Sequence, residues 1–361
     1  MKIKFIHTAD LHLGRPFANA SFPMEIARRR RQEQWETFND IIRLALEETV
    51  DFLWISGDLF EKDFISMGEI KRVHQAFKRI PQVEIIIIAG NHDPYGKKCF
   101  YYDYPWDSHV HIIQEDRLTV LEFAQLDTAV YGVSWKEQYM TEDILGGEIP
   151  ESQCLNKILL MHGDIYHKQS QYLPIDAEKL STMPFHYVAL GHIHKKDSIQ
   201  HHIRYCGSPE PLDFGEVGEH GILLGELSGK DLQVDFVSIA KRQFIIKNIQ
   251  LNPDMSYDEI TEQILELSRG EKNLYRIILK GMVDSDIPLE ELLSDVERSF
   301  YHLEWINETV PDYDLEKIAL ENEDNVIGAF VREMIKKDLK DSIVKDALFM
   351  GLEVLLKERD M

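Results

Sequence analysis

Five short stretches carry side chains that could do chemistry: Asp10-Leu11-His12, Gly57-Asp58, Gly90-Asn91-His92-Asp93, His162 and Gly191-His192-Ile193-His194. Mixed Asp, Asn and His donors suit borderline divalent metals such as Mn²⁺, Fe²⁺ or Zn²⁺. In Asp-x-His and His-x-His, the two-residue period of an extended segment sets both side chains on one face. Each pair can then act at one metal site or across two. A glycine before Asp58, Asn91 and His192 allows a sharp chain exit. Singly, these signals mean little, because Asp-x-His is common and a histidine at a strand end is more often a satisfied or surface side chain. Five in this order, each directly after an apolar run, are hard to obtain by chance, and together they predict a binuclear metal site.

The elements that must position them read as alternating strands and helices. Strands are expected at Ile3–Ala9, Phe52–Ser56, Val83–Ala89, Thr128–Val133, Ile158–Met161 and His186–Leu190, with helices at Glu25–Thr49 and Met67–Ile80. Loops at the C-terminal ends of neighbouring strands converge, which is where the five stretches fall. Ile203–Cys206, Gly221–Leu227 and Leu232–Val237 then read as an antiparallel tail. Near Ala240 the character changes to a β-α-β-α-β order: Phe244–Leu251, Tyr257–Ser268, Leu274–Met282, Leu289–Phe300 and Leu303–Glu308. Two helical segments follow, Asn325–Leu339 and Ser342–Lys357. The expected organisation is a domain over 1–240, a smaller one over 245–312 and a helical segment over 313–361.

The 361 residues suffice for about two domains, and 44% hydrophobic with 29% charged residues is an ordinary globular composition. No apolar stretch approaches the ~20 residues of a membrane helix, so no membrane association is expected. The N-terminus reaches Asp10 before any signal-peptide core could form. Cys99, Cys154 and Cys206 have no pairing spacing, which fits a reducing cytoplasm. Forty basic against 63 acidic residues give a net charge of −23, a surface that repels polyanions on average. Nucleic acid would need a local basic patch, bound metal ions or a partner chain.

The order D-x-H, GD, GNHD, H, GHxH resembles the calcineurin-like metallophosphoesterases. The stretches FIHTADLHLG, ISGDLF and YCGSPEPLDFGE (Tyr205–Glu216) are similar to SbcD-type DNA-repair exonucleases and their YhaO-like relatives. The resemblance covers about residues 1–240. It implies a four-layer αββα sandwich with a smaller α+β capping domain and C-terminal helices. It further implies that Asp10, His12, Asp58 and His194 hold one metal and Asp58, Asn91, His162 and His192 a second, with Asp58 bridging. Mn²⁺ leads as the metal, with Fe²⁺, Zn²⁺ and Mg²⁺ open. Such a pair activates water and clamps a phosphodiester for in-line attack. His92 has no metal role in this scheme and is expected to act as acid or charge stabiliser, with Glu61 orienting it.

The implied activity is metal-dependent DNA exonuclease, with endonuclease activity open, in repair alongside an SbcC-like SMC-family ATPase docked through the C-terminal helices. Homodimerisation is also open. The alternatives are a stand-alone phosphoesterase of a small nucleotide or phospho-metabolite, which the acidic charge favours, and a non-catalytic scaffold, which the complete ligand set disfavours. Substrate phosphates could meet the basic run Arg28, Arg29, Arg30 and Arg31, at least one of which must face inward on a helix. Lys97 and Lys98, interleaved with aromatics from Tyr95 to Trp106, could contact single strands or instead cap the domain. The C-terminal helices carry apolar stripes, Val326 to Ile335 and Ile343 to Leu355, suited either to packing or to docking.

Overall fold

The computed structural model describes residues 1–17, 22–96, 104–268, 272–284, 286–339 and 341–359. The chain forms two compact units, Met1–Gln243 and Phe244–Met361.

The first unit is built on two six-stranded sheets. One has the order β12-β11-β1-β2-β3-β4, from Asp231–Ser238, Gly221–Ser228, Ile3–Thr8, Phe52–Ser56, Glu84–Ile88 and Val110–Ile112. The other has the order β5-β6-β7-β8-β10-β9, from Thr119–Phe123, Thr128–Gly132, Asn156–His162, Tyr187–Gly191, Ile203–Tyr205 and Asp197–Gln200. β1 to β4 run parallel, as do β6, β7, β8 and β10. Such strands are covered on both faces and so read as continuous apolar runs. Ile85 to Ile88 and Leu53 to Ile55 are fully or almost fully buried.

The sheets pack face to face. Phe5, Trp54, Ile86 and Ile88 of the first share a core with Val130, Ile158, Leu160 and Tyr187 of the second. On the outer face of the first sheet lie α1 (Met24–Glu47) and α2 (Met67–Phe77). The stripe Trp35, Phe38, Ile41, Ile42 and Ala45 faces inward, and a Ser66–Glu69 capping box starts α2. The outer face of the second sheet is covered by α3 (Ala177–Ser181) together with irregular segments, including buried Trp135, Leu145 and Leu173. The first unit is thus a mixed α/β sandwich with two sheets at its centre.

The tail expected to be antiparallel divides between the sheets. β10 runs parallel to β8, while β11 and β12 form a hairpin whose first strand pairs antiparallel with β1. β4, β5 and β9 lacked a clear sequence pattern because they are short, the first two only half buried and β9 mostly exposed.

In the second unit, β13 (Phe244–Leu251), β14 (Leu274–Asp284) and β15 (His302–Asp312) form a parallel sheet. α4 (Tyr257–Ser268) and α5 (Leu289–Glu297) pack on it through Ile260, Ile264, Leu292 and Leu293. α6 (Leu315–Glu321), α7 (Val326–Met334) and α8 (Ser342–Arg359) follow, and Ile327, Val331, Leu348 and Leu352 form their common core. Val326, Ile343, Met350 and Val354 remain exposed.

Candidate metal centre

Both sheets deliver their C-terminal strand ends to one place. Asp10 and His12 follow β1, Asp58 follows β2, Asn91 and His92 follow β3, His162 ends β7, and His192 and His194 follow β8. The exit loops of β1 and β2 stay hydrogen-bonded beyond the sheet: Asp10 N donates to Gly57 O, His12 N to Asp58 O and Leu13 N to Leu59 O. The expected extended geometry of Asp-x-His and His-x-His is not what forms. Asp10, His12, Asp58 and His192 lie in the left-handed region, at φ of 53°, 46°, 52° and 96°. Non-glycine residues there carry strain of about 1–3 kcal/mol each and cluster at functional sites. The glycines also serve a purpose other than a free exit. Gly57 does have a positive φ of 92°, but a Cβ on Gly90 would lie 2.2 Å from Asp58 Oδ1, and one on Gly191 2.0 Å from Ser56 O. Those two positions are short of space.

All nine residues assigned to the site meet. Asp58 Oδ2 lies 3.2 Å from His162 Nε2 and 3.8 Å from His12 Nε2. Asp10 Oδ1 lies 3.9 Å from both His162 Nδ1 and His194 Nε2. Asn91 Oδ1 lies 3.0 Å from His162 Nε2 and 3.1 Å from His192 Nδ1. His12 Nε2 faces His194 Nε2 at 3.2 Å. Glu61 Oε1 is 2.9 Å from His92 Nδ1. Ligand atoms lie within 4.8 Å of one another in the triplets Asp10–His12–His194, Asp10–Asp58–His162 and His12–Glu61–His92.

The surrounding bonds decide which nitrogen faces inward. His162 Nδ1 donates to Ser56 O at 2.9 Å, which directs Nε2 toward Asp58 and Asn91. His194 Nδ1 donates to Glu216 Oε1 at 2.6 Å, which directs Nε2 toward Asp10 and His12. Such outer partners fix the tautomer and basicity of metal-binding histidines. Glu216 closes the stretch YCGSPEPLDFGE, but nothing in its local spacing ties it to His194, 22 residues earlier.

The electrostatics match a site made for cations. Burial would raise Asp58, but His162, His12 and His92 outweigh it and hold its carboxyl well below the usual range. Burial lifts Asp10. Burial also opposes charge on His162 and His194, yet Asp58 and Glu216 respectively raise them to about 9. Burial and His162 push His192 down to about 3. Glu61, despite burial, is lowered to about 2 by its contacts with His12 and His92. Carboxylates here draw protons onto the neighbouring rings, and a dication would take the place of those protons, balancing the carboxylates while accepting the ring lone pairs. His12 Nδ1 is buried without a hydrogen-bond partner, 3.4 Å from Glu61 Oε2. The donors and their crowding therefore fit divalent metal ions.

The expected phosphate contacts fare differently. Arg30 is fully buried, donating to Glu33 Oε2 at 2.7 Å, Glu210 Oε2 at 2.9 Å and Pro211 O at 2.8 Å. It is the inward-facing member of the run and cannot meet a substrate phosphate. Arg29 pairs with Glu33 and Glu36, and Arg31 pairs with Glu69, while Arg28 is exposed. Lys97 and Lys98 lie outside the described residues. No described helix is long and apolar enough to cross a membrane.

Known proteins match this chain at several levels. YhaO of Bacillus subtilis (strain 168), whose full name is uncharacterized metallophosphoesterase YhaO, is 27% identical across 65% of this chain and 60% of its own length. The DNA double-strand break repair protein Mre11 of Sulfurisphaera tokodaii is 26% identical across 82% of this chain and 77% of its own. Its namesake in Methanosarcina acetivorans is 25% identical across 95% and 58%. The chain thus spans about three fifths of the first and third of these relatives. Residues 3–196, over half of the chain, match the calcineurin-like phosphoesterase family, and the chain belongs to that family of metal-dependent hydrolases.

Proposed function

We propose that the protein is a metal-dependent DNA nuclease, an exonuclease in the first place, with Asp10, His12, Asp58 and His194 holding one divalent ion and Asp58, Asn91, His162 and His192 the other. The observation that carries this reading is the meeting of seven N and O donors from two sheets, with His92 and Glu61 beside them. Mn²⁺ suits this donor set. Two ions bound there supply Lewis acidity and a nucleophilic water for in-line displacement at phosphorus.

The chain's own side chains do the rest. Asp58 offers oxygens toward both donor groups, and its Oδ1 also accepts the His92 backbone N–H at 2.8 Å. His92 is 39% exposed, so a phosphodiester can reach it. Glu61, itself held by its N–H to Leu13 O, bonds His92 Nδ1 and raises the pKa of that ring against burial. His92 Nε2 is therefore the proton donor for the leaving oxygen or for charge on the phosphoryl group. DNA as substrate is supported by the two relatives named for DNA double-strand break repair. Work beside an SMC-like ATPase through α7 and α8 is what the resemblance of the flanking motifs implies.

The test is Mn²⁺-dependent cleavage of labelled single- and double-stranded DNA beside a small chromogenic phosphodiester, with Asp58→Asn as control. DNA cleavage that requires metal and Asp58 is expected. Turnover of the small diester with no cleavage of either DNA would replace this reading by the small-phosphoester one, which the net charge of −23 favours.

A further inference from the structure

The second sheet of the first unit has two ends, and the candidate metal centre occupies one. At the other, where β7, β8 and β10 begin, lies a cavity of about 480 Å³. Four chain segments line it: the start of β7 with Lys157, the α3–β8 connection with His186, the β9–β10 turn with His201 and His202, and the β11–β12 turn with Lys230. Met183 and Leu232 add apolar surface, and no carboxylate lines it.

That composition stands out in a chain of net charge −23. Some lysines elsewhere, Lys2, Lys4, Lys136 and Lys196 among them, are paired with a carboxylate. Among the described residues, none of the five basic groups in the cavity has such a partner. His186 is also fixed in place. Its Nδ1 accepts the Lys157 N–H at 3.1 Å, and its own backbone N–H donates to Lys157 O at 2.8 Å. With Nδ1 used as acceptor, Nε2 carries the proton and is the ring's remaining donor. Burial, then Lys157, Lys230 and His202, lowers the pKa of His186, and burial with His201 lowers that of His202. The two lysine cations thus stand beside rings kept from protonation, and an anion suits that arrangement of cations and ring N–H donors.

We propose that this cavity binds a phosphate-bearing ligand of mononucleotide size, its phosphate held by Lys157, Lys230 and His186 and its flat apolar part against Met183 and Leu232. The volume lies within the range of small-ligand sites. An open pocket of this volume suits a single nucleotide better than a tracked strand, for which several nucleotides per module are usual. The proposal does not rest on the metal reading, since none of the nine residues of that site lines this cavity.

The test uses full-length protein stripped of metal and kept in EDTA, titrated calorimetrically with AMP, adenosine, inorganic phosphate and a ten-nucleotide oligomer. AMP is expected to bind, phosphate more weakly and adenosine not measurably. Lys230→Gln, on an exposed turn, and Lys157→Gln should each weaken AMP by roughly tenfold, the size of one charge-assisted hydrogen bond. Asp58→Asn should leave AMP binding unchanged, and the lysine variants should keep wild-type turnover of the small diester and their melting temperature. Binding that Asp58→Asn abolishes and both lysine variants keep would overturn the proposal. So would equal affinity for adenosine and AMP, or no AMP binding at millimolar concentration. An oligomer that binds through the same lysines more tightly than AMP would make a nucleic acid strand the occupant and overturn the small-ligand assignment.

Discussion

Replacing Glu216 by Gln removes one charge and one acceptor 2.6 Å from His194 Nδ1. The carboxylate does three things: Oε1 accepts from His194, while Oε2 accepts from Leu212 N at 2.9 Å and from Ser208 Oγ at 3.2 Å. A glutamine has one acceptor oxygen and two N–H donors, so it cannot serve both ends. If its oxygen stays with Leu212, its amide N–H faces His194 Nδ1 and favours the tautomer whose Nε2 carries a hydrogen. If its oxygen turns to His194, the amide meets the Leu212 N–H donor to donor. Either way the lone pair on His194 Nε2 is given up or held less firmly. Losses of this kind weaken metal binding by about 10- to 100-fold, or about 1.4–2.7 kcal/mol. Mn²⁺ titration of stripped protein should show one of two binding events weakened by that factor, the other near wild type, and the melting temperature little changed without metal. Two unchanged binding events would refute the argument that Glu216 sets His194, and loss of both would mean that the substitution disturbs the region around Asp58.

Three further outcomes follow from the same geometry. His92→Ala should lower turnover by roughly 10²–10⁴-fold with metal content near wild type; loss of an ion would show that His92 is a ligand. Arg30→Met should destabilise the first unit by about 3–5 kcal/mol in denaturant unfolding, because Glu33 and Glu210 lose a buried partner; a change under about 1 kcal/mol would mean that the bonds of Arg242 to Glu33 and of Thr37 to Glu210 suffice. A chain ending at Gln243 should keep small-diester turnover and lose DNA cleavage, equal loss of both pointing to a supporting role for the second unit. It should also be more stable than one ending at Ala240, which lacks the Arg242 Nε–Glu33 bond of 2.7 Å and the Lys241 contacts with Asp40 and Glu210.

What the sequence made legible was whatever a local pattern encodes. Phe52–Ser56, Phe244–Leu251 and Tyr257–Ser268 have the same bounds in sequence and structure, because strong apolar runs and a 3.6-residue stripe identify them. The ligand motifs stood out because each follows such a run. Partners distant in sequence stayed hidden. Arg30 looked like its three neighbours, and its bonds to Glu210 and Pro211, distant in sequence, separate it from them. Glu216 carries no spacing signal. The backbone at Asp10, His12 and His192 was read as extended from the two-residue spacing alone, although Asp and His are among the few non-glycine residues enriched in the left-handed region.

That misreading shows how the centre is made. On an extended segment Asp10 and His12 would point the same way but stand roughly 7 Å apart along the strand. The left-handed turns at both residues curl the loop so that each side chain comes within 4 Å of a histidine from the second sheet. The strain is held by backbone bonds to the neighbouring β2 loop, and the His192 N–H is bound by both oxygens of Asp10 at 3.1 Å. Asp10 thereby places a residue of the other sheet as well as its own carboxylate. Gly90 and Gly191 let the loops close to distances that a single Cβ would prevent. The two sheets are joined at this end by side chains that share donors, so the site cannot be loosened on one sheet without moving groups on the other. A substitution that widens one loop should therefore weaken both donor groups together, whereas one confined to an outer partner such as Glu216 should weaken only the group it touches.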